Sequence, residues 1–246
     1  MRSAGPKSRS SVNPSKRRSQ IRRFLSRLMN GARAGGRSLW LGGALLALLA
    51  FVRITRELIE GEVGAIDSAI LLAMAKLRTP WLTVAAVDVT ALGSITLVVL
   101  FSAFTLLVLL VLRDRLGALQ LLAASAGAGI LTLLTKDLIE RIRPAEAQQL
   151  IVVSGFSYPS GHSVSTSALY LTIAIIAGRY VQHSGARISI FLAASAVIMM
   201  VGASRVYLGV HYATDVLSGI SLGVTWALLL AAFFTRFGHR GHSHGM

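Results

Sequence analysis

The chain contains no cysteine in its 246 residues, which excludes disulfides, thiolate nucleophiles and thiolate metal sites together. Charge is also scarce. Asp, Glu, Lys and Arg make up 14% of the residues, against roughly 25% in an average soluble domain. With 54% hydrophobic residues, the chain has too little polar surface to stay dissolved. Proline is rare, at five positions, and acids are outnumbered ten to twenty-five by Lys and Arg. No repeat of 20 to 50 residues and no sustained heptad is visible. Long apolar segments fill the chain instead, and they predict an all-α polytopic membrane protein.

The net charge of +15 is concentrated at one end. Residues 1–37 hold eleven basic side chains and no acid, in a Ser-, Arg- and Gly-rich segment. That composition predicts a mobile basic tail, and its position ahead of an apolar run makes it a cytoplasmic topology signal. The membrane domain is expected over 38–235, followed by a His- and Gly-rich cytoplasmic tail at 236–246.

Measured against the ~20 residues that span a bilayer, six spans are expected. The first is a short one from Ser38 to about Thr55. The others run Val89–Leu112, Leu116–Leu138, Ser163–Val181, Ile188–Val206 and Ala213–Phe234. Between the first two, Ile66, Ile70, Ala73, Met74 and Leu77 share one helical face, with Asp67 and Lys76 off it. This predicts a short interfacial helix closed by Thr79-Pro80. Ser125, Gly127, Gly129, Gly219 and Gly223 read as close-packing positions. Six spans from a cytoplasmic N-terminus return the C-terminus to the cytoplasm.

Three polar clusters interrupt this pattern: Lys136 to Pro144, Pro159 to His162, and Ser204 to Asp215. Each sits at a span end, and the topology sends all three to the outer, periplasmic face. Ionisable groups at membrane depth are costly and point to function. Lys136 and Arg143, seven residues apart, would share a helical face, and Arg205 adds a third cation suited to phosphate. Ser160 and Gly161, opening a helix, offer a cap and free N–H groups at its positive end. His211 and Asp215, at i and i+4, can set one ring nitrogen against a carboxylate and leave the other nucleophilic. His162 is a second imidazole, placed to protonate a leaving oxygen. The set reads as phosphoryl transfer through a histidine nucleophile, with no metal or other cofactor expected.

Each motif alone is weak, although Pro-Ser-Gly-His occurs by composition in roughly one window in 10⁵. Together, Lys136-x6-Arg143-Pro144, Pro159-Ser160-Gly161-His162 and Ser204-Arg205-x5-His211-x3-Asp215 resemble the three signatures of the type 2 phosphatidic acid phosphatase superfamily. That superfamily includes bacterial membrane lipid phosphatases and soluble vanadium haloperoxidases. The resemblance covers residues 60–235 and departs only at Ala213, where many relatives carry proline. It implies a six-helix bundle with the site at the outer surface. It also implies His211 as the nucleophile, Asp215 orienting it and His162 protonating the leaving group. Lys136, Arg143, Arg205 and the Ser160–Gly161 backbone would hold the phosphate.

The expected partner is a lipid phosphate drawn from the bilayer, undecaprenyl diphosphate first. Phosphatidylglycerophosphate, phosphatidic acid and lipid A phosphate follow. A lipid-to-lipid phosphotransferase would use the same site. An anion transporter would hold such groups at the midplane rather than at helix ends. A nucleic-acid binder would need an aromatic platform, and the basic tail has only Phe24. Glu140 and Arg141 are expected in an ion pair or loop contact, Asp88, Tyr207 and Tyr212 at the interface. His239, His242 and His244 fall in the terminal tail.

Overall fold

The computed structural model describes residues 14–236, and among these every regular element is a helix. Helix α1 spans Pro14–Ile59, α2 Gly64–Lys76, α3 Pro80–Ala91 and α4 Ile95–Val111. After α5 (Arg115–Ile139) comes a loop with one 3₁₀ turn, Glu146–Gln148. Helices α6 (Gly161–Tyr180), α7 (Ser184–Tyr207) and α8 (Ala213–Thr235) complete the chain. Among the described residues, five helices are long and apolar enough to cross a membrane, and the count is six if the bent pair α3–α4 forms one span.

The second span differs from expectation. It begins at Pro80, not Val89, and is two helices meeting at 47°. The break follows from local chemistry. Leu92-Gly93-Ser94 close with short-range backbone bonds, and Ser94 caps α4 by accepting from Leu97 N–H at 3.3 Å. The first span, expected to be short, offers 24 residues over Gly36–Ile59. Helix α1 also reaches back to Pro14, through much of the segment whose composition suggests a mobile tail. Pro14 suits the first helical position, and the Lys, Arg, Gln and Leu that follow favour helix. Residues 1–13 and 237–246, with His239, His242 and His244, lie outside the described residues.

Helices α6 and α8 form the centre of the bundle and pack against each other through glycine. A methyl group at Gly223 would stand 2.5 Å from the Val164 carbonyl, and one at Gly219 2.7 Å from the Ser160 carbonyl. Such approach is how helices associate where lipid removes the hydrophobic drive. Gly127 makes room for the Trp226 ring, whose N–H donates to the Ala123 carbonyl at 3.0 Å. Ser125 meets the Ser102 hydroxyl at 3.0 Å. Gly129 is not a packing position, since its Cβ direction is open.

Two contacts define the ends of the bundle. Thr55, near the end of α1, meets the Tyr158 hydroxyl at 2.6 Å just before α6, while Tyr180, ending α6, donates to Asp114 in the α4–α5 turn at 2.8 Å. The ends of α1, α5 and α7 and the starts of α3, α6 and α8 therefore share one face. Helix α2 lies across that face, with Ile66, Leu72 and Leu77 exposed and Asp67 and Leu71 buried.

Candidate active site

The three polar clusters converge at this end of the bundle, though not by the local geometry expected. Helix α5 stops at Ile139 and Glu140 takes a left-handed conformation (φ 50°), so Lys136 and Arg143 do not share a helical face. They converge because the chain turns back. The Lys136 ammonium and Arg143 Nη2 both donate to the Phe156 carbonyl, the latter at 3.1 Å. Arg143 also donates to the carbonyls of Gly155 at 2.8 Å and Val210 at 2.7 Å. This fork is held in place by loop backbone.

His211 precedes α8 rather than lying on it, and is 2% exposed. Arg143 Nη1 stands 3.2 Å from its Nε2. A guanidinium only donates, so Nε2 must accept and the ring proton sits on Nδ1. Nδ1 faces Asp215 Oδ2 at 3.4 Å and the Ser157 hydroxyl at 3.4 Å. Asp215 is fully buried and held on every side. Its Oδ2 accepts from the Ser157 hydroxyl and from Tyr212 N–H at 3.0 Å, and its Oδ1 accepts from Arg141 Nη1 at 2.6 Å. Burial pushes the His211 imidazole down from 6.5 to about 4, with Asp215 offsetting part of the loss. The ring is neutral at neutral pH.

Ser160 occupies the N-cap position of α6, but its hydroxyl makes no cap bond. It accepts from the Ser163 hydroxyl at 3.1 Å, and the Ser160 N–H donates to the Asp215 carbonyl at 3.0 Å. The amides left to meet an anion are therefore those of the first turn, from Gly161 onward. His162 lies in that turn, against Gly93 at the α3–α4 break, within electrostatic reach of Arg205, His211, Arg143 and Lys136. Arg205, 3% exposed, donates from Nη1 to the Thr90 hydroxyl at 3.0 Å, while its Nε is buried without a partner. A buried guanidinium with an unsatisfied N–H is half of an anion site.

Sequence reasoning did not find Asp67, Ser157 or Thr90. Asp67 is fully buried in α2, where it accepts from Arg141 Nη2 at 2.7 Å and Thr214 N–H at 3.0 Å. A lone carboxylate in an apolar helix was the available signal. Arg141 forms the expected ion pair, with two carboxylates instead of one. Glu140 is the exposed cap of α5 and Asp88 is exposed on α3. Tyr207 is no interfacial anchor: it is 6% exposed, and its hydroxyl accepts from Thr79 N–H at 3.2 Å. Tyr212 lies beneath the Arg141 guanidinium, 4.1 Å from ring centre.

The model of the PAP2 superfamily matches residues 117–238, a stretch that contains all three clusters. Phosphatidylglycerophosphatase B of Bacillus subtilis (strain 168) is 32% identical over 193 residues, 75% of this chain and 91% of that protein. Lipid A 1-phosphatase of Rhizobium johnstonii is 32% identical over 120 residues, 45% of each chain. The crystal structure of a transmembrane PAP2 type phosphatidylglycerolphosphate phosphatase from Bacillus subtilis superposes with a TM-score of 0.73 at 30% identity. It covers 80% of this chain and 98% of that one.

Proposed function

The chain belongs to the PAP2 superfamily and is a membrane protein of its lipid phosphatase group, and from that premise we propose that it hydrolyses the headgroup phosphate of a lipid through a phosphohistidine on His211. In this reading Lys136, Arg143, Arg205 and the first-turn amides of α6 at Gly161 take the phosphate oxygens, with Ser160 closing the cradle. His211 Nε2 attacks phosphorus as the bond to the lipid oxygen breaks, and His162 gives its proton to that oxygen. His162 then takes a proton from water, which attacks the phosphohistidine, releases phosphate and restores His211. Asp215 holds the Nδ1 proton throughout.

The observation that carries this reading is the direction of the His211 ring, with Nδ1 toward Asp215 and Nε2 toward Arg143. The nucleophilic lone pair thus faces a cation that would bind the phosphate under attack. The local charge supports it as well. Arg141 is shared by Asp67 and Asp215, a cluster of net negative charge, and Lys136, Arg143 and Arg205 outweigh it, leaving positive charge in excess for a phosphate dianion. Those cations do the charge neutralisation that a metal would otherwise supply, so we infer a metal-independent reaction.

Likeness to phosphatidylglycerophosphatase B along most of that protein favours phosphatidylglycerophosphate over undecaprenyl diphosphate as substrate. A lipid A phosphate is the second choice. The domain reading is a membrane unit over 38–235 with short polar ends. Eleven basic residues before Ser38 favour a cytoplasmic N-terminus in a bacterial inner membrane. That orientation puts the site on the periplasmic side and the C-terminus in the cytoplasm.

Phosphate release by the detergent-purified protein in excess EDTA tests this. The panel is phosphatidylglycerophosphate, lipid A, phosphatidic acid and undecaprenyl diphosphate, with His211→Ala alongside. Release from phosphatidylglycerophosphate that vanishes in the variant is expected. Activity surviving in His211→Ala, or lost in EDTA, overturns the mechanism. Phosphate appearing on a second lipid instead of in solution would identify a phosphotransferase.

A further inference from the structure

The reaction above uses one buried carboxylate and leaves another unexplained. Asp67 is 0% exposed on α2, a helix whose other side carries the exposed Ile66 and Leu72. Arg141 joins Asp67 to the dyad: Nη2 donates to Asp67 Oδ2 at 2.7 Å, and Nη1 to Asp215 Oδ1 at 2.6 Å. Thr214 closes the ring, donating its N–H to Asp67 Oδ1 at 3.0 Å and accepting from Arg141 Nη1 at 2.8 Å. One guanidinium therefore bridges a carboxylate on the membrane-surface helix and the carboxylate that faces His211.

We propose that Asp67 and Arg141 are positioning residues for phosphoryl transfer, fixing Asp215 and leaving the cluster one net negative charge for the ring of His211. The inference rests on the His211 mechanism proposed above. An Arg141–Asp215 pair alone would be neutral, and the carboxylate's pull on the ring proton would be largely cancelled. Asp67 offsets the guanidinium, so the three groups together carry −1. When Nε2 bonds to phosphorus and Nδ1 keeps its proton, the imidazole becomes cationic 3.4 Å from Asp215. The negative charge therefore stabilises the transition state more than the resting enzyme, where the ring is neutral. Such an interaction acts on kcat and leaves binding nearly unchanged. Neither residue needs to touch the lipid.

The shape of Asp67 is almost retained in Asp67→Asn, but the charge is lost and an amide N–H is set against Arg141 or Thr214. The test measures kcat and KM for phosphate release from dioctanoyl phosphatidylglycerophosphate in micelles. The full-length wild type is compared with His211→Ala, Asp67→Asn, Arg141→Gln and the double variant. Asp67→Asn is expected to lower kcat by about 10- to 100-fold, the range for lost outer-shell partners, with KM within about twofold. The double variant should be no slower than Arg141→Gln, because Asp67 acts through Arg141. A kcat within about twofold of wild type, a change confined to KM, or additive losses would overturn the proposal. Turnover by His211→Ala would instead sink the underlying mechanism. If Asp67→Asn does not elute as a monodisperse protein, Arg141→Lys serves the same purpose. Lysine keeps the charge but not the planar fork whose two nitrogens hold Asp67 and Asp215 in fixed positions, so kcat should fall about tenfold, and full activity would overturn the proposal.

Discussion

At the scale of the residue, the candidate site depends on controlling protons and charge among buried groups. In the proposed mechanism His211 must be neutral to attack, and burial pushes its pKa down to about 4. An exposed imidazole would lose its nucleophile as pH falls through 6.5. Here the fraction of neutral His211 stays high until pH approaches 4. A kcat/KM profile in which the limb assigned to this ring is absent near 6.5 is the expected result. The limb is identified by its disappearance in His211→Ala, and a limb at 6.5 that tracks the ring would contradict the burial argument. Arg205 offers a separate test. It is buried with one N–H unpartnered, and lysine cannot copy a planar fork. Arg205→Lys should therefore cut kcat/KM by about 10- to 100-fold, a loss of ~1.4–2.7 kcal/mol of transition-state binding. Candidate site residues of this kind are legible in sequence because costly groups in an apolar chain stand out. Ser157 was not legible, because a lone serine in a loop carries no such signal.

At the scale of the element, glycine spacing decides how closely the central helices approach. The α6–α8 contact at Gly223 leaves no room for a methyl group. Gly223→Ala should cost about 1–3 kcal/mol through overpacking, read as a lower midpoint of thermal unfolding in detergent. Gly129→Ala points into open space and should leave the midpoint unchanged or raise it, since alanine favours helix by up to ~1 kcal/mol. The contrast separates close packing from mere glycine content, which the sequence pattern could not do. The α3–α4 break is a second case. A methyl at Gly93 would stand 3.0 Å from His162 Cδ2 and 2.8 Å from Val201 Cγ1. Gly93→Ala is expected to reduce kcat about tenfold by displacing His162, with a smaller effect on the unfolding midpoint than Gly223→Ala. The break was hidden in sequence because apolar residues continue on both sides of Gly93-Ser94, and hydropathy does not register a bend.

At the scale of the whole molecule, alternating helices send the site and the α6–α7 turn to opposite faces. The absence of native cysteine makes this measurable without background. Lys76→Cys, at the exposed end of α2, and Gly185→Cys, exposed at the start of α7, sit on those two faces. An impermeant maleimide applied to intact spheroplasts should label Lys76→Cys and spare Gly185→Cys until the cells are lysed. The reverse pattern would place the site in the cytoplasm and would overturn the orientation drawn from the basic N-terminal segment.

The sequence by itself determined what is local or compositional. An apolar chain with regular polar interruptions must cross a membrane, and Lys136, His162, Arg205, His211 and Asp215 interrupt it only at span ends. The superfamily was legible from those same spacings. Tertiary structure decided which groups meet. Lys136 and Arg143 converge because Glu140 reverses the chain, not because seven residues make two helical turns. Asp67 and Asp215 share a guanidinium although 148 positions separate them, since Thr214 N–H, 147 residues away, binds the same carboxylate. Periodicity reports only which side of its own helix a residue occupies. The partner that makes a buried charge tolerable comes from another helix, and only packing brings it there.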